Sequence, residues 1–183
     1  MADLFGVLAQ THDRIFWLAH ELAGSAPDPP ATPKERKAIA AELVAELSRH
    51  EAAEEMIFWP LVRERVTDGE PMIEVALGQE QAGKRVLNEL AHVSPGSEEF
   101  SSLTHAVAAH LREHITYEQN VVWPKLQLCL TETECAELGE RFARAQRLAP
   151  ARPHPHVPPG PALLKAVGPA VALLDRARNV FYR

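Results

Sequence analysis

Cysteine, cationic stretches and long apolar runs are all scarce in this sequence, and each scarcity removes a class of function. The 183 residues hold two cysteines, Cys129 and Cys135. Their spacing fits neither a zinc knuckle nor a C-x-x-C redox pair, so they read as reduced thiols of a cytoplasmic protein. Lys and Arg form no stripe, and a net charge of −6 argues against a nucleic-acid partner. No run of about 20 apolar residues is present to span a membrane. The opening Met1-Ala2-Asp3-Leu4 lacks the basic region and apolar run of a signal peptide. Alternation of β-branched residues is missing as well, which disfavours strands.

What remains is 46% hydrophobic and 24% charged, ordinary for a folded domain with room for a small appendage. From Asp3 to about Leu148, apolar residues recur at spacings of three and four, the helical period. Helices are expected over about Asp3–Leu22, Lys34–Val66, Pro71–Ala91 and Ser97–Leu130. A shorter one should begin after the capping-box pattern Thr131-Glu132-Thr133-Glu134. Thr67-Asp68-Gly69 and Ser94-Pro95-Gly96-Ser97 mark turns, with Ser97 a suitable N-cap. Four long helices joined by short turns predict an all-α, up-down-up-down four-helix bundle. The expected division is a bundle at 1–130, an accessory helix at 131–149, a Pro-rich linker at 150–161 and an amphipathic segment at 162–183. Pro153, Pro155, Pro158, Pro159 and Pro161 exclude regular helix in the linker. The last segment is expected to pack on its own bundle or to engage a protein partner; its few dispersed basic residues argue against a membrane surface.

One phrase occurs twice. His50-Glu51-Ala52-Ala53-Glu54 with Trp59-Pro60 is echoed by His114-Ile115-Thr116-Tyr117-Glu118 with Trp123-Pro124, both reading H-x3-E-x4-W-P with an offset of 64. Residues four apart share a helix face, so each His lies one turn from its Glu. Leu43, Leu47, His50, Glu54, Ile57 and Leu61 form the inward stripe of the second helix, and Val107, Leu111, His114, Glu118, Val121 and Val122 that of the fourth. Buried unpaired carboxylates cost several kcal/mol and repel one another, and a bound cation removes both penalties. Imidazole with carboxylate suits iron, manganese or zinc better than calcium or magnesium. On the first helix His12 falls within the stripe of Phe5, Leu8, Ile15, Ala19 and Leu22. On the third, Glu80 fills the gap among Ile73, Ala76, Leu87 and Leu90, while Gln81 falls with Lys84 and Asn88 on the wet side. Six inward ligands follow: His12, His50, Glu54, Glu80, His114 and Glu118. Three carboxylates partly offset the charge of two divalent metals, which favours two ions over one.

These motifs resemble the hemerythrin-like, HHE cation-binding family over roughly Asp3–Leu130. A single His on the first helix lands on His12, and the two H-x3-E…P motifs land on His50 with Glu54 and His114 with Glu118. The resemblance implies a pair of irons with an oxo or hydroxo bridge, ahead of manganese or zinc. Oxygen-carrying members supply two histidines from the third helix, where this chain has Glu80 and Lys84. That departure implies an oxygen- or peroxide-processing centre rather than a reversible carrier. The Pro-rich tail also resembles extensions of bacterial members.

Several residues have competing readings. His110, one turn before His114, is a ligand or a hydrogen-bond partner of one. Glu51 resembles an extra acid of some family members, but its phase points away from the centre. Tyr117 reads as helix packing or as a donor into an inner cavity, and Trp59 and Trp123 as plugs that exclude water. His20 is expected at an interface; His92, His105, His154 and His156 face solvent. The expected function is binding or processing of O2, peroxide or NO, in sensing or detoxification, with peroxide dismutation the enzyme activity to test. The alternatives are a non-enzymatic iron- or oxygen-sensing module acting through a protein partner, and a structural zinc bundle.

Overall fold

Side-chain caps set where four of the helices begin. In the computed structural model, which describes residues 2–24 and 32–149, Asp3 accepts the Gly6 N–H at 2.7 Å and opens α1 (Leu4–Leu22). Thr32 and Glu35 form a reciprocal capping box at the start of α2 (Pro33–Ala53), with Pro33 in the first turn. A π-helical turn, Glu54–Phe58, joins α2 to α3 (Trp59–Arg65). After Asp68 the chain enters α4 (Gly69–Leu90), two residues before the expected Pro71. Ser97 caps α5 (Glu98–Tyr117) by accepting the Phe100 N–H at 3.1 Å. A second π-turn, Glu118–Val122, leads into α6 (Trp123–Gln127). Thr131 and Glu134 make the capping box that opens α7 (Glu132–Leu148). Among the described residues every regular element is helical and none is a strand.

The helices pack as a bundle. α1 lies against α2, α5 and α7, and α4 lies against α5, α3 and α2. The α7 helix covers the seam between α1 and α2 and buries Leu138, Phe142 and Ala145 there. The expected accessory helix is thus in contact with the bundle, while the Pro-rich and amphipathic segments at 150–183 lie outside the described residues.

Both π-turns have one cause. Pro60 and Pro124 have no N–H to donate, and a proline ring strikes the carbonyl four residues back in a regular helix. The turn before each proline widens instead, and the N–H of Trp59 or Trp123 reaches back five residues to the carbonyl of Glu54 or Glu118. The extra residue rotates everything after it by about 100°. The expected inward stripes are corrected accordingly. Phe58 and Val62 are fully buried where Ile57 and Leu61 were expected, and Val121 is exposed while Val122 and Leu126 are buried.

The apolar core comes in two parts. One holds Leu4, Leu8, Phe58, Trp59, Val62, Val122 and Phe142; the other holds Ile15, Leu18, Leu43, Leu47, Leu87, Phe100 and Leu111. Between Leu8 and Ile15 on α1 sits His12, and the two cores flank a single layer of buried histidines and glutamates. Gly139 lets α7 close on the N-terminal strap: a Cβ there would lie 2.7 Å from the Ala2 carbonyl oxygen and 2.9 Å from the Leu4 nitrogen. Backbone cannot yield as a side-chain tip does, so Gly139→Ala should destabilise the metal-free protein by about 1–3 kcal/mol in thermal melts. Gly78→Ala, where the new Cβ meets nothing within 4 Å, should be neutral or stabilising. Equal melting of the two variants would rule out this close approach.

Candidate metal centre

The π-turns begin at Glu54 and Glu118, so each bundle half presents its carboxylate where the helix widens. His12 from α1 and His50 from α2 bring their Nε2 atoms to 2.9 Å of each other. Glu54 Oε1 lies 3.1 Å from His50 Nε2, and Glu118 Oε2 lies 3.3 Å from His12 Nε2. His114 Nε2 stands 2.9 Å from Glu118 Oε1 and 3.8 Å from Glu54 Oε2. Donor atoms of His12, His50, Glu54 and Glu118 all fall within 4.8 Å of one another, as do those of Glu54, Glu80 and His114. The geometry therefore brings all six residues singled out from the sequence into two adjacent groups that share Glu54.

The polar atoms in this layer are compensated incompletely. Both oxygens of Glu54, both of Glu118 and Nε2 of His114 are buried and have no hydrogen-bond partner. Such orphans are rare in a folded interior and are satisfied by a cation bound among them. Mixed imidazole and carboxylate donors at the meeting of four helix faces fit a transition-metal ion. By this test the residues present match the group that the motifs imply.

Behind each imidazole stands a glutamine amide. Gln119 Nε2 is 3.3 Å from His12 Nδ1, Gln146 Nε2 is 3.5 Å from His50 Nδ1, and Gln79 Oε1 is 3.4 Å from His114 Nδ1. Contacts of this kind orient a ligand ring and select its tautomer. Sequence reasoning missed all three, because a glutamine on a half-exposed helix face carries no periodic signal. Gln146 also donates to Thr11 Oγ1 at 3.2 Å, so α7 contributes to the positioning of His50. The Trp123 ring stacks on His12 with centroids 5.4 Å apart, and Phe142 meets His50 edge-on.

Three expectations change around α4. Lys84 is not on the wet side: its side chain is 13% exposed and pairs with Glu55, with Glu80 Oε2 at 3.4 Å and with Glu51 Oε2 at 4.0 Å. Glu51 is buried although its phase pointed away, because α2 is covered by α1 and α7 on one side and by α4 on the other. Trp59 is more than a plug, since its indole N–H donates to Glu80 Oε1. His110 is half-buried and joins Glu51, Gln79, Glu80, Gly83 and His114 around a small pocket. Leu47, Leu87, Val107 and Leu111 complete its wall, and it is roomy enough for a molecule of water's size. Tyr117 points elsewhere, its hydroxyl donating to the Met72 carbonyl at 3.4 Å, and His20, His92 and His105 are exposed.

A centre of this kind, histidines and glutamates buried between the two cores of a helical bundle, defines a cation-binding domain. The chain belongs to the Hemerythrin HHE cation binding domain family, whose model matches residues 3–126. Among solved structures it is similar to a Hemerythrin HHE cation binding domain-containing protein of Mycobacterium kansasii. That similarity has a TM-score of 0.67 at 22% identity and covers 80% of this chain and 86% of the other, a likeness of fold. No curated protein matches the chain. No described helix is long and apolar enough to cross a membrane.

Charge coupling gives the metal-free chain a pH signature. Burial pulls the His50 and His114 imidazoles down, but the carboxylates of Glu54 and Glu118 outweigh it and both are raised. Burial pushes Glu51 up to about 7 against the pull of Lys84, and lifts Glu80 well above the carboxylate range. Burial would raise Glu54 too, yet the facing histidines hold it well below its ordinary value. A raised group binds more protons folded than unfolded, so its stabilising effect is complete below its unfolded pKa and fades as pH rises through the folded one. For Glu51 the fading runs from 4.5 to about 7, and for His50 and His114 it runs upward from 6.5. The melting temperature of the metal-free protein should therefore fall steadily from mildly acidic to mildly alkaline pH, and metal uptake should release protons. A melting temperature that rose across this range would show that these groups are not coupled as described.

Proposed function

We propose that the chain is a non-haem di-iron protein that binds or processes O2, peroxide or nitric oxide. One observation carries the reading: two donor groups share Glu54, and the smaller, of three side chains, adjoins the pocket lined by Glu51, His110 and His114. In this reading His12 and His50 would hold one metal, His114 and Glu80 would hold the other, and Glu54 and Glu118 would be shared. Glu51 and His110 line the approach of a small ligand rather than completing the metal set. Iron bound there supplies one-electron chemistry and an open coordination position for a small ligand. The protein's own part is to fix donor geometry, to orient the rings through Gln79, Gln119 and Gln146, and to exclude bulk water with two apolar cores. We take 1–130 as the metal-binding bundle and 131–149 as the helix that seals it over His50.

A difference in access supports a division of labour. The four-residue group is buried on every side, with His12, Glu54 and Glu118 fully inaccessible. The group containing His114 is the one that a diffusing molecule meets first. Peroxide dismutation is the activity this arrangement makes the first to test, and manganese or zinc in place of iron would abolish or alter it.

Metal content by mass spectrometry on protein purified without a His tag, with an aerobic absorption spectrum, tests the reading. Wild type should carry about two irons per chain and show near-ultraviolet charge-transfer bands. Glu54→Ala and Glu118→Ala should lose metal from both positions, whereas His110→Ala should keep both metals and change only ligand access. Full metal content in Glu54→Ala would remove the shared role and with it the paired centre.

A further inference from the structure

The two donor groups differ in what stands next to them. Around His12, His50, Glu54 and Glu118 no lysine or arginine lies within ion-pair reach of the carboxylates among the described contacts; the histidines alone do. In the second group both oxygens of Glu80 are already engaged. Oε1 accepts the Trp59 indole N–H, and Oε2 lies 3.4 Å from the Lys84 ammonium. Lys84 is held there by Glu55, and Glu51 approaches to 4.0 Å. Glu55 is itself buried, so the lysine is anchored from α2's π-turn as well as from its own helix.

A fixed ammonium beside a carboxylate does two things to a divalent cation that would use it. It repels the incoming charge, an effect that remains large at a few ångströms in a poorly hydrated interior. It also competes for the oxygen, so that Glu80 must loosen one of its two contacts before turning toward a metal. In the four-residue group the cations beside the carboxylates are imidazoles, which shed their protons on becoming ligands, so neither penalty persists there.

Resting on the di-metal reading above, we propose that Lys84 is a tethered cation that ranks the two metal positions. The His12–His50–Glu54–Glu118 position fills first and tightly. The Glu54–Glu80–His114 position, beside the pocket, fills second and weakly, and its metal is the exchangeable one. Lys84 is thus a positioning residue acting through Glu80, and Glu55 sets how far the ammonium leans on that carboxylate.

The test is anaerobic titration of the metal-free 183-residue chain with ferrous iron, followed by calorimetry and by metal content after gel filtration. Wild type should bind in two steps whose dissociation constants differ by at least about tenfold, the scale of one nearby like charge. Lys84→Met should tighten the second step by at least about tenfold while leaving the first unchanged, and Lys84→Arg should keep the wild-type gap. Glu55→Gln frees the ammonium to lean further on Glu80 and should weaken the second step. This opposite sign is not expected of general damage, and it decides the matter should Lys84→Met fail to fold. An unchanged second step in both Lys84→Met and Glu55→Gln, with wild type still binding two irons, overturns the ranking and leaves the di-metal reading intact. Failure of wild type to take up any iron overturns both.

Discussion

Glu54 and Glu118 bury four carboxylate oxygens that accept no hydrogen bond, and the bundle is organised around compensating them. A lone buried carboxylate costs several kcal/mol, and two at close quarters repel as well. Three imidazoles close on them from three helices, yet their nitrogens meet the oxygens at ion-pair rather than hydrogen-bond geometry. The apolar residues obey the same constraint. They divide into two cores, one above and one below the polar layer, so that water is kept from it on both sides. Proline placement belongs to this design too: by opening a π-turn at each glutamate, Pro60 and Pro124 widen the helix at the depth where a cation needs room.

The internal repeat makes the two halves of the bundle alike, and the departures from it make them work differently. His50 is backed by Phe142 and Gln146 of α7, whereas His114 looks onto a small pocket and is backed by Gln79. Glu55 faces Lys84 in the first copy of the motif; the matching position in the second is Gln119, which turns instead to His12. In the proposed two-metal reading, a symmetric frame with asymmetric neighbours would hold one metal firmly and leave its partner accessible to a ligand.

The helical period was legible in the chain because apolar residues recur faithfully on α1 and α4: Leu8, Ile15, Ala19, Ile73, Ala76 and Leu87 are all buried. The same arithmetic placed His12 and Glu80 in the gaps of those stripes, and the repeat placed the two His-Glu pairs. It failed beyond each glutamate, where Ile57, Leu61 and Val121 were assigned to the core. A period of 3.6 cannot anticipate a turn that holds an extra residue, although the Trp-Pro that causes it was in view. Lys84 and Glu51 were assigned outward for a related reason. Periodicity reports one preferred face of a helix, and α2 and α4 are covered on more than one.

By itself, then, the sequence determined the helices, the caps at Ser97 and Thr131, the internal repeat and the inward facing of six histidines and glutamates, because these depend on spacing along one chain. The π-turn phase, the glutamines behind the rings, the pocket and the capture of Lys84 among three carboxylates were decided only by tertiary structure. Each of these joins residues on different helices, and side-chain partners brought together by packing leave no period to read.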